Sequence, residues 1–154
     1  MIILNSLDDL KAHIGQEIGV TDWFPVTQDR IQQFADTTGD HQWIHVDPER
    51  AQRESPFKTT IAHGFLTLSL LPQFMPQVLE IKSGVLMGIN YGLNRVRFVS
   101  PLRSGTRIRA RFALQSVKEL PDSTDMVYAV TVEAEGSEKP CCVAEWVVRY
   151  YRQE

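Results

Sequence analysis

The second half of the chain alternates apolar and polar residues with the period of a β-strand. From Ile108 to Phe112 every second residue is apolar, and the residues between them are arginines. Such alternation places one set of side chains in a core and the other set in solvent. Segments of similar character cover residues 84–92, 94–101, 125–136 and 139–151, with turn-forming residues between the last of them. The pattern predicts an antiparallel meander.

The first half of the chain shows helical patterns instead. Thr27 is a suitable N-cap for a helix that ends at Gly39, because glycine readily adopts the left-handed conformation at a helix end. Asp47 and Pro48 suit the N-cap and the first position of another helix. Residues 40–46 are therefore predicted to form a loop between two helix ends.

The most apolar stretch of the chain is HGFLTLSLLPQFMPQVLE, which begins at His63. Its large apolar residues cover nearly all sides of a helix, so we expect this helix to be buried all round. Pro72 and Pro76 lack a backbone N–H and are predicted to kink or break it. Together with the meander, this helix predicts an α+β fold in which a curved antiparallel sheet wraps around a central helix. The length of 154 residues predicts a single domain, residues 1–154.

Composition and charge narrow the possible functions. The formal net charge of −3 gives no electrostatic reason to expect nucleic-acid binding. Cys141 and Cys142 are adjacent and give no disulfide framework, which indicates a reducing, cytoplasmic location. The N-terminal residues do not resemble a signal peptide, and the apolar stretch is too short to span a bilayer, so no membrane association is expected.

Polar residues that can carry chemistry are concentrated in the predicted loop, with the sequence DHQWIHVD. Asp40 follows the helix-ending glycine, where an aspartate often forms an Asx-turn. His45 lies between two aliphatic residues, as a core histidine with one backbone partner would. Alternatively, Asp40 and His45 act as an acid–base pair that holds one water, shielded from solvent by Trp43 and Ile44.

A metal site is a third interpretation of this loop. His41 and His45 have the i, i+4 spacing of helical zinc ligands. The spacing brings both rings to one face only if the segment is helical, whereas the flanking residues predict a loop. No metal is therefore expected. Asp47 is assigned to helix capping, without a chemical role.

His63 and Gly64 stand at the predicted start of the central helix. A free N–H at a helix start can stabilise negative charge on a carbonyl oxygen, and glycine lets that oxygen approach closely. Alternatively, Gly64 only relieves packing of the helix against the sheet. An acid, a base and such a donor together suit addition of water to a polarised double bond.

The segment FADTTGDHQWIHVDPERA resembles the signature of the MaoC-like dehydratases, also known as the (R)-specific enoyl-CoA hydratase or hydratase 2 family. That signature has Gly-Asp, a variable residue, Asn-Pro, an aliphatic residue and His. The dipeptides Gly39-Asp40 and Ile44-His45 fit this signature. Gln42 and Trp43 stand in place of its Asn and Pro. The hexapeptide DHQWIH is similar to the nodulation-protein-N-like branch. HGFLTLSLL and NYGLNRVRFVSPLRSGTRIR resemble the central helix and the strands that follow it.

The resemblance implies a hotdog fold with a five- or six-stranded antiparallel sheet, and a homodimer joined edge to edge. It implies reversible hydration of trans-2-enoyl thioesters, carried by coenzyme A or by acyl-carrier protein, to (R)-3-hydroxyacyl thioesters. No cofactor is implied. By position, Asp40 and His45 correspond to the pair that activates water, and Gly64 to the backbone donor for the thioester oxygen. Gln42 is expected to support the loop through its amide.

Two other functions are compatible with the same residues. One is an acyl-CoA thioesterase of the hotdog fold, which also uses an acidic residue and an N–H at a helix start. The other is an acyl-thioester-binding subunit without activity. Arg95, Arg97 and Arg103 are candidates for contact with the CoA phosphates, although alternating arginines also suit a solvated sheet face.

Overall fold

The main sheet of the protein has six strands and is antiparallel in every pairing. The computed structural model describes residues 1–153. The strands of this sheet are β2 (Glu17–Val20), β3 (Phe24–Pro25), β5 (Val85–Arg97), β6 (Arg107–Glu119), β7 (Ser123–Ala134) and β8 (Cys142–Arg152). Their order is β2-β6-β7-β8-β5, with β3 also paired to β6. The predicted meander is confirmed, except that residues 84–101, expected as two strands, hold one long strand, β5.

Two short strands form a separate parallel pair, β1 (Ile2–Leu4) with β4 (Leu79–Ile81). The helices are α1 (Gln28–Thr38), α2 (Trp43–Val46), α3 (Pro48–Glu54), α4 (Gly64–Ser69) and α5 (Leu71–Phe74), with 3₁₀ helices at Asp8–His13 and Met75–Gln77. Capping follows the sequence. Thr27 accepts a hydrogen bond from the N–H of Arg30, and Asp47 accepts one from the N–H of Arg50.

The predicted central helix is present as a broken helix. It consists of α4, α5 and the following 3₁₀ turn, and the interruption lies at Leu70, two residues before Pro72. Its inward residues Leu66, Leu71 and Phe74 are buried in the core. The expectation of a helix buried all round is wrong at Phe65, which is 68% exposed.

The core lies between this broken helix and the concave face of the sheet. Alternation in β6 works as predicted, because Ile108, Ala110 and Phe112 are completely buried. The arginines between them face outward and pair with carboxylates of neighbouring strands, as Arg109 does with Glu133 at 2.6 Å. The buried apolar residues form one cluster that runs from Leu4 in β1 to Val148 in β8. A single domain over residues 1–154 stays a prediction.

Strand β5 is an edge of the main sheet, since it pairs with β8 on one side only. Large apolar side chains stand exposed along it: Leu86, Met87, Ile89, Tyr91 and Leu93 are between 39% and 64% exposed. An open edge of this length with apolar side chains is a surface on which another strand can pair.

Residues 1–153 contain no helix with the length and apolar character needed to cross a membrane.

Candidate active site

Helix α1 ends where the candidate site begins. Gly39 adopts the left-handed conformation with φ 78°, and its N–H donates to the carbonyl of Ala35. The next segment, residues 40–46, was predicted to be a loop throughout. The structure corrects this, because Trp43–Val46 forms a single helical turn in which the N–H of Asp47 donates to the carbonyl of Trp43. Such a short turn carries too little periodicity to be seen in the sequence.

His45 is buried in this turn, 7% exposed, and is held from two sides. Its ring nitrogen Nδ1 lies 2.7 Å from the carbonyl oxygen of Ile61. A carbonyl oxygen only accepts, so Nδ1 carries the proton and Nε2 keeps its lone pair. The backbone carbonyl of His45 accepts a hydrogen bond from Nε2 of Gln28 at 2.8 Å. His45 is thus fixed with the lone pair of Nε2 available to a ligand.

Burial lowers the pKa of His45 below its ordinary value of 6.5. The hydrogen bond to Ile61 acts in the opposite direction, and positive charge on His63 adds to the lowering. The negative charge of Asp40 favours the protonated ring. The lowered pKa keeps His45 uncharged at neutral pH, as a proton acceptor requires.

Asp40 sits at the mouth of the site, with its side chain 55% exposed. Its carboxylate oxygen Oδ1 accepts a weak hydrogen bond from the N–H of Gln42 at 3.4 Å, which is the expected Asx-turn. Asp40, His45 and His63 each offer one ligating atom within 4.8 Å of the other two. Two groups at that separation can hold a single water between them, each through a hydrogen bond of about 2.8 Å.

His63 completes this group and was missed as a partner of the pair. Its ring stacks on that of His45, with centroids 3.8 Å apart and planes inclined by 24°. Its Nε2 lies 3.0 Å from the backbone carbonyl oxygen of Asp40. No local pattern connects His63 to the loop, because the two segments are 23 residues apart and meet only in the folded chain.

Gly64 is the first residue of α4, as predicted, so its N–H is among those that a helix start leaves without an intrahelical partner. The structure also supports the packing interpretation. A Cβ atom at Gly64 would lie 2.7–2.9 Å from three ring carbons of Phe98, which is closer than real contacts. Phe98 in turn packs edge-on against Phe65. Gly64 thus combines an N–H at a helix start with a close packing contact.

Comparisons with known proteins agree on one family. Residues 9–136 match the family model described as MaoC like domain. The chain is 52% identical over 151 residues to the 3-hydroxyacyl-thioester dehydratase Z of Mycobacterium tuberculosis, covering 97% of this chain and 99% of that protein. It is 50% identical over 147 residues to Nodulation protein N of Rhizobium leguminosarum bv. viciae, covering 92% and 89% of the two chains. The solved R-hydratase PhaJ1 of Pseudomonas aeruginosa superposes with a TM-score of 0.67 at 23% identity, covering 91% of this chain and 83% of the other.

The chain belongs to the MaoC-like family. Its fold is the hotdog fold of these dehydratases, and the predicted resemblance, including the nodulation-protein-N-like branch, is confirmed. The family's Asn-Pro dipeptide is Gln42-Trp43 in this MaoC-like chain. Gln42 is exposed, and its backbone carbonyl accepts from the N–H of His45 at 2.9 Å. Loop support by its side-chain amide stays a prediction.

The stacked rings of His45 and His63 do not suit a metal bound to both. A metal ligand lies in the plane of each imidazole, about 2.0–2.1 Å from its nitrogen for zinc. The two planes are inclined by only 24° at a centroid separation of 3.8 Å. Two planes that are so nearly parallel meet only far from the rings, well beyond zinc-binding distance of either nitrogen. One metal ion could lie in both planes only if one ring turned, and that ring would lose its hydrogen bond to the backbone.

An apolar cavity of about 340 Å³ lies between the broken central helix and the sheet of this MaoC-like chain. Pro72, Met75, Leu79 and Trp146 contribute to its walls. A second cavity of about 270 Å³ adjoins it, shares Pro72 and Trp146, and reaches Leu68 in α4. The cavities therefore follow the helix that begins at Gly64.

The three candidate arginines for the CoA phosphates are all exposed. Arg95 and Arg97 lie on the edge strand β5. Arg103 is closer to the candidate site, since it forms an isolated β-bridge with Ile61, whose carbonyl anchors the ring of His45. A role for any of them in binding phosphate stays a prediction.

Proposed function

We propose that this protein is a hydro-lyase that reversibly adds water to trans-2-enoyl thioesters and gives (R)-3-hydroxyacyl thioesters. The observation that carries the proposal is the placement of the Asp40 carboxylate beside the buried ring of His45, whose Nε2 is left free by the hydrogen bond from Nδ1 to Ile61. The 52% identity to a 3-hydroxyacyl-thioester dehydratase over nearly the full length supports the same reaction.

In this mechanism the thioester carbonyl polarises the conjugated double bond, which makes Cβ electrophilic. A water held between Asp40 and His45 attacks Cβ while Nε2 of His45 accepts its proton. Negative charge develops on the thioester oxygen as the enolate forms. The proton on Nε2 is then delivered to Cα. The water thus adds as a hydroxyl group at Cβ and a hydrogen at Cα. Asp40 orients the water and stabilises the positive charge that His45 carries between the two proton transfers.

Gly64 is the proposed donor to the thioester oxygen. Its N–H is at the start of α4, where a helix leaves donors free, and the oxygen becomes more negative in the transition state than in the substrate. The donor therefore stabilises the transition state more than the ground state. The reaction uses water and the chain's own groups, and no cofactor is proposed.

The acyl chain is proposed to lie in the cavities between the broken helix and the sheet. Their walls are mainly apolar, and the two together extend from Leu68 in α4 to Leu79, the first residue of β4. Burying methylene groups there contributes about 0.8 kcal/mol for each. The proposed substrates are short or medium enoyl chains on coenzyme A or on acyl-carrier protein.

The protein is proposed to act as a homodimer that forms through β5. This strand has an unpaired edge with exposed apolar side chains, and pairing of two copies would remove both edges at once.

The experiment that tests the proposed reaction supplies enoyl-CoA substrates of several chain lengths and follows two signals in the same sample. Loss of the enoyl-thioester absorbance reports hydration, and a thiol reagent reports release of free coenzyme A. Hydration without free thiol is expected. Thiol release at a rate equal to substrate loss would instead identify a thioesterase, and no change in either signal would identify a binding subunit.

A further inference from the structure

We propose that His63 is a positioning residue for the acid–base pair, which holds Asp40 through a hydrogen bond and supports the ring of His45 by stacking. This inference rests on the proposed function, since it concerns the same pair. His63 itself takes no part in proton transfer.

The ring of His63 packs against two other rings. His45 stacks on it at 3.8 Å between centroids, and the ring of Phe34 in α1 lies at 5.0 Å with a tilt of 54°. His63 is only 4% exposed. A ring packed in this way cannot turn without displacing its neighbours, so it provides a fixed surface for His45.

The hydrogen bonding of His63 assigns its proton. Its Nε2 lies 3.0 Å from the backbone carbonyl oxygen of Asp40, and since a carbonyl oxygen only accepts, Nε2 is the protonated nitrogen. Nδ1 is then the nitrogen with the lone pair, and among the described residues it is buried without a hydrogen-bond partner. A proton at Nδ1 would be a buried donor with no acceptor, which is unfavourable. The geometry therefore favours the Nε2–H tautomer.

This tautomer explains why His63 positions Asp40 and His45 but does not transfer protons itself. Its one donor is directed at the backbone of Asp40, and its one lone pair is closed off from solvent. The same Nε2 lies 3.9 Å from the carboxylate oxygen Oδ2 of Asp40, close enough to influence its orientation. The side chain of Asp40 is 55% exposed, and the hydrogen bond from Nε2 to its backbone carbonyl joins Asp40 to a buried side chain.

Few titratable or charged groups of residues 1–153 face His45. Asp40 faces it from its own loop, and His63 faces it from the start of α4. Helix α1 contributes the uncharged Gln28 and Phe34, and the segment at Ile61 is bridged to Arg103.

Three variants test the proposal. His63→Phe keeps a ring to stack on His45 but removes the hydrogen bond to Asp40. His63→Gln keeps an N–H donor at a similar distance from the backbone. Phe34→Leu is the matched control, because it loosens the other ring contact of His63 and keeps the hydrogen-bond donor of His63.

A displacement of about 1 Å in a catalytic group can lower turnover roughly 10²-fold. We therefore expect His63→Phe to lower kcat by about that factor with KM nearly unchanged. His63→Gln should recover part of kcat, because it restores the donor but not the stacked ring. Phe34→Leu should lower the melting temperature and leave kcat nearly unchanged. Wild-type kcat in His63→Phe would overturn the proposal, as would an equal loss of kcat in Phe34→Leu.

Nitrogen NMR of the four histidine rings gives a readout that needs no enzymatic activity. In the wild-type protein we expect the Nε2–H tautomer at His63 and the Nδ1–H tautomer at His45. A proton on Nδ1 of His63 in the wild type overturns the proposal, even if His63→Phe does not fold. Absence of hydratase activity with both tautomers as expected would instead remove the proposed function and leave the placement of His63 intact.

Discussion

The imidazole rings of His45 and His63 are stacked with their centroids 3.8 Å apart, and each donates a hydrogen bond to a different backbone carbonyl. His45 donates to Ile61, in the segment that leads to α4, and His63 donates to Asp40, in the loop that follows α1. The two histidines therefore tie both chain segments of the candidate site to each other. Each of the two rings has one nitrogen with a free lone pair. The proposed mechanism uses the lone pair at Nε2 of His45 and not the one at Nδ1 of His63.

Replacing His45 should abolish most of the activity, because the proton acceptor is lost. General acid–base groups contribute roughly 10²–10⁴-fold to turnover, and a loss of kcat in that range is expected for His45→Ala. His41→Ala is the matched control, since His41 is an exposed histidine of the same loop and pairs with Asp36 at 2.9 Å. Steady-state kinetics on both variants check the prediction. Equal effects in the two would show that His45 has no special role.

The pH dependence of activity should report the lowered pKa of His45. The uncharged ring is the active form, so activity present at neutral pH is lost as pH falls through the pKa of His45 in the folded protein. Because that pKa is lowered, the acidic limb of kcat/KM should lie below 6.5. Measuring kcat/KM across a buffer series checks this. An acidic limb above 6.5 would contradict the assignment of His45 as the acceptor.

Gly64→Ala can distinguish the two roles of Gly64, as a donor to the thioester oxygen or as a residue needed for packing. The test requires that the contact with Phe98 is removed. The new Cβ would press on the Phe98 ring, so the single variant is expected to lose stability whichever role Gly64 has. Combining Gly64→Ala with Phe98→Ala provides the missing space, and Phe98→Ala alone is the reference. If Gly64 serves the thioester oxygen, the double variant should still lose roughly 10²–10³-fold in turnover against that reference.

The melting temperatures of the same preparations identify the other outcome. A double variant that is as stable and as active as Phe98→Ala would assign Gly64 to packing alone and remove it from the site.

A homodimer through β5 should be weakened by charge on the exposed side chains of that strand. Ile89 and Leu93 are 39% and 41% exposed, so Ile89→Glu with Leu93→Glu should be tolerated by the isolated fold but place like charges across the paired strands. Sedimentation at low micromolar protein should show a dimer, twice 17.6 kDa, for the wild type and a shift toward monomer for the variant. Ile14→Glu, 46% exposed and outside β5, is the control. A wild-type species of 17.6 kDa alone would exclude the dimer.

Local patterns in the sequence were sufficient for much of the fold. Alternation in residues 107–134, the N-caps Thr27 and Asp47, and the left-handed Gly39 depend on neighbours within a few positions, and all are found in the structure. Asp40 and His45 could be singled out because both lie in one short loop.

The remainder of the candidate site depends on contacts between distant segments. His63 is 23 residues from Asp40 and meets it only through the packing of α4. The contact between Phe98 and Gly64 likewise joins the end of β5 to the start of α4, and no periodicity records it. Phe65 was expected in the core because the apolar pattern of a helix shows which residues are apolar. It does not show which side of the helix faces the sheet and which side is exposed.

The central claim is that this chain hydrates enoyl thioesters through the pair Asp40 and His45, and one side-by-side measurement tests it most directly. Wild type and Asp40→Asn are mixed with the same trans-2-enoyl-CoA, and the loss of enoyl-thioester absorbance is followed, with chiral analysis of the product. Asparagine keeps the shape of Asp40 and the backbone hydrogen bond to His63 but removes the carboxylate charge. We expect rapid hydration to the (R)-3-hydroxyacyl-CoA by the wild type, and a rate lower by roughly 10²–10⁴-fold for Asp40→Asn. No hydration by folded wild-type protein, or hydration at equal rates by the two, would contradict the claim.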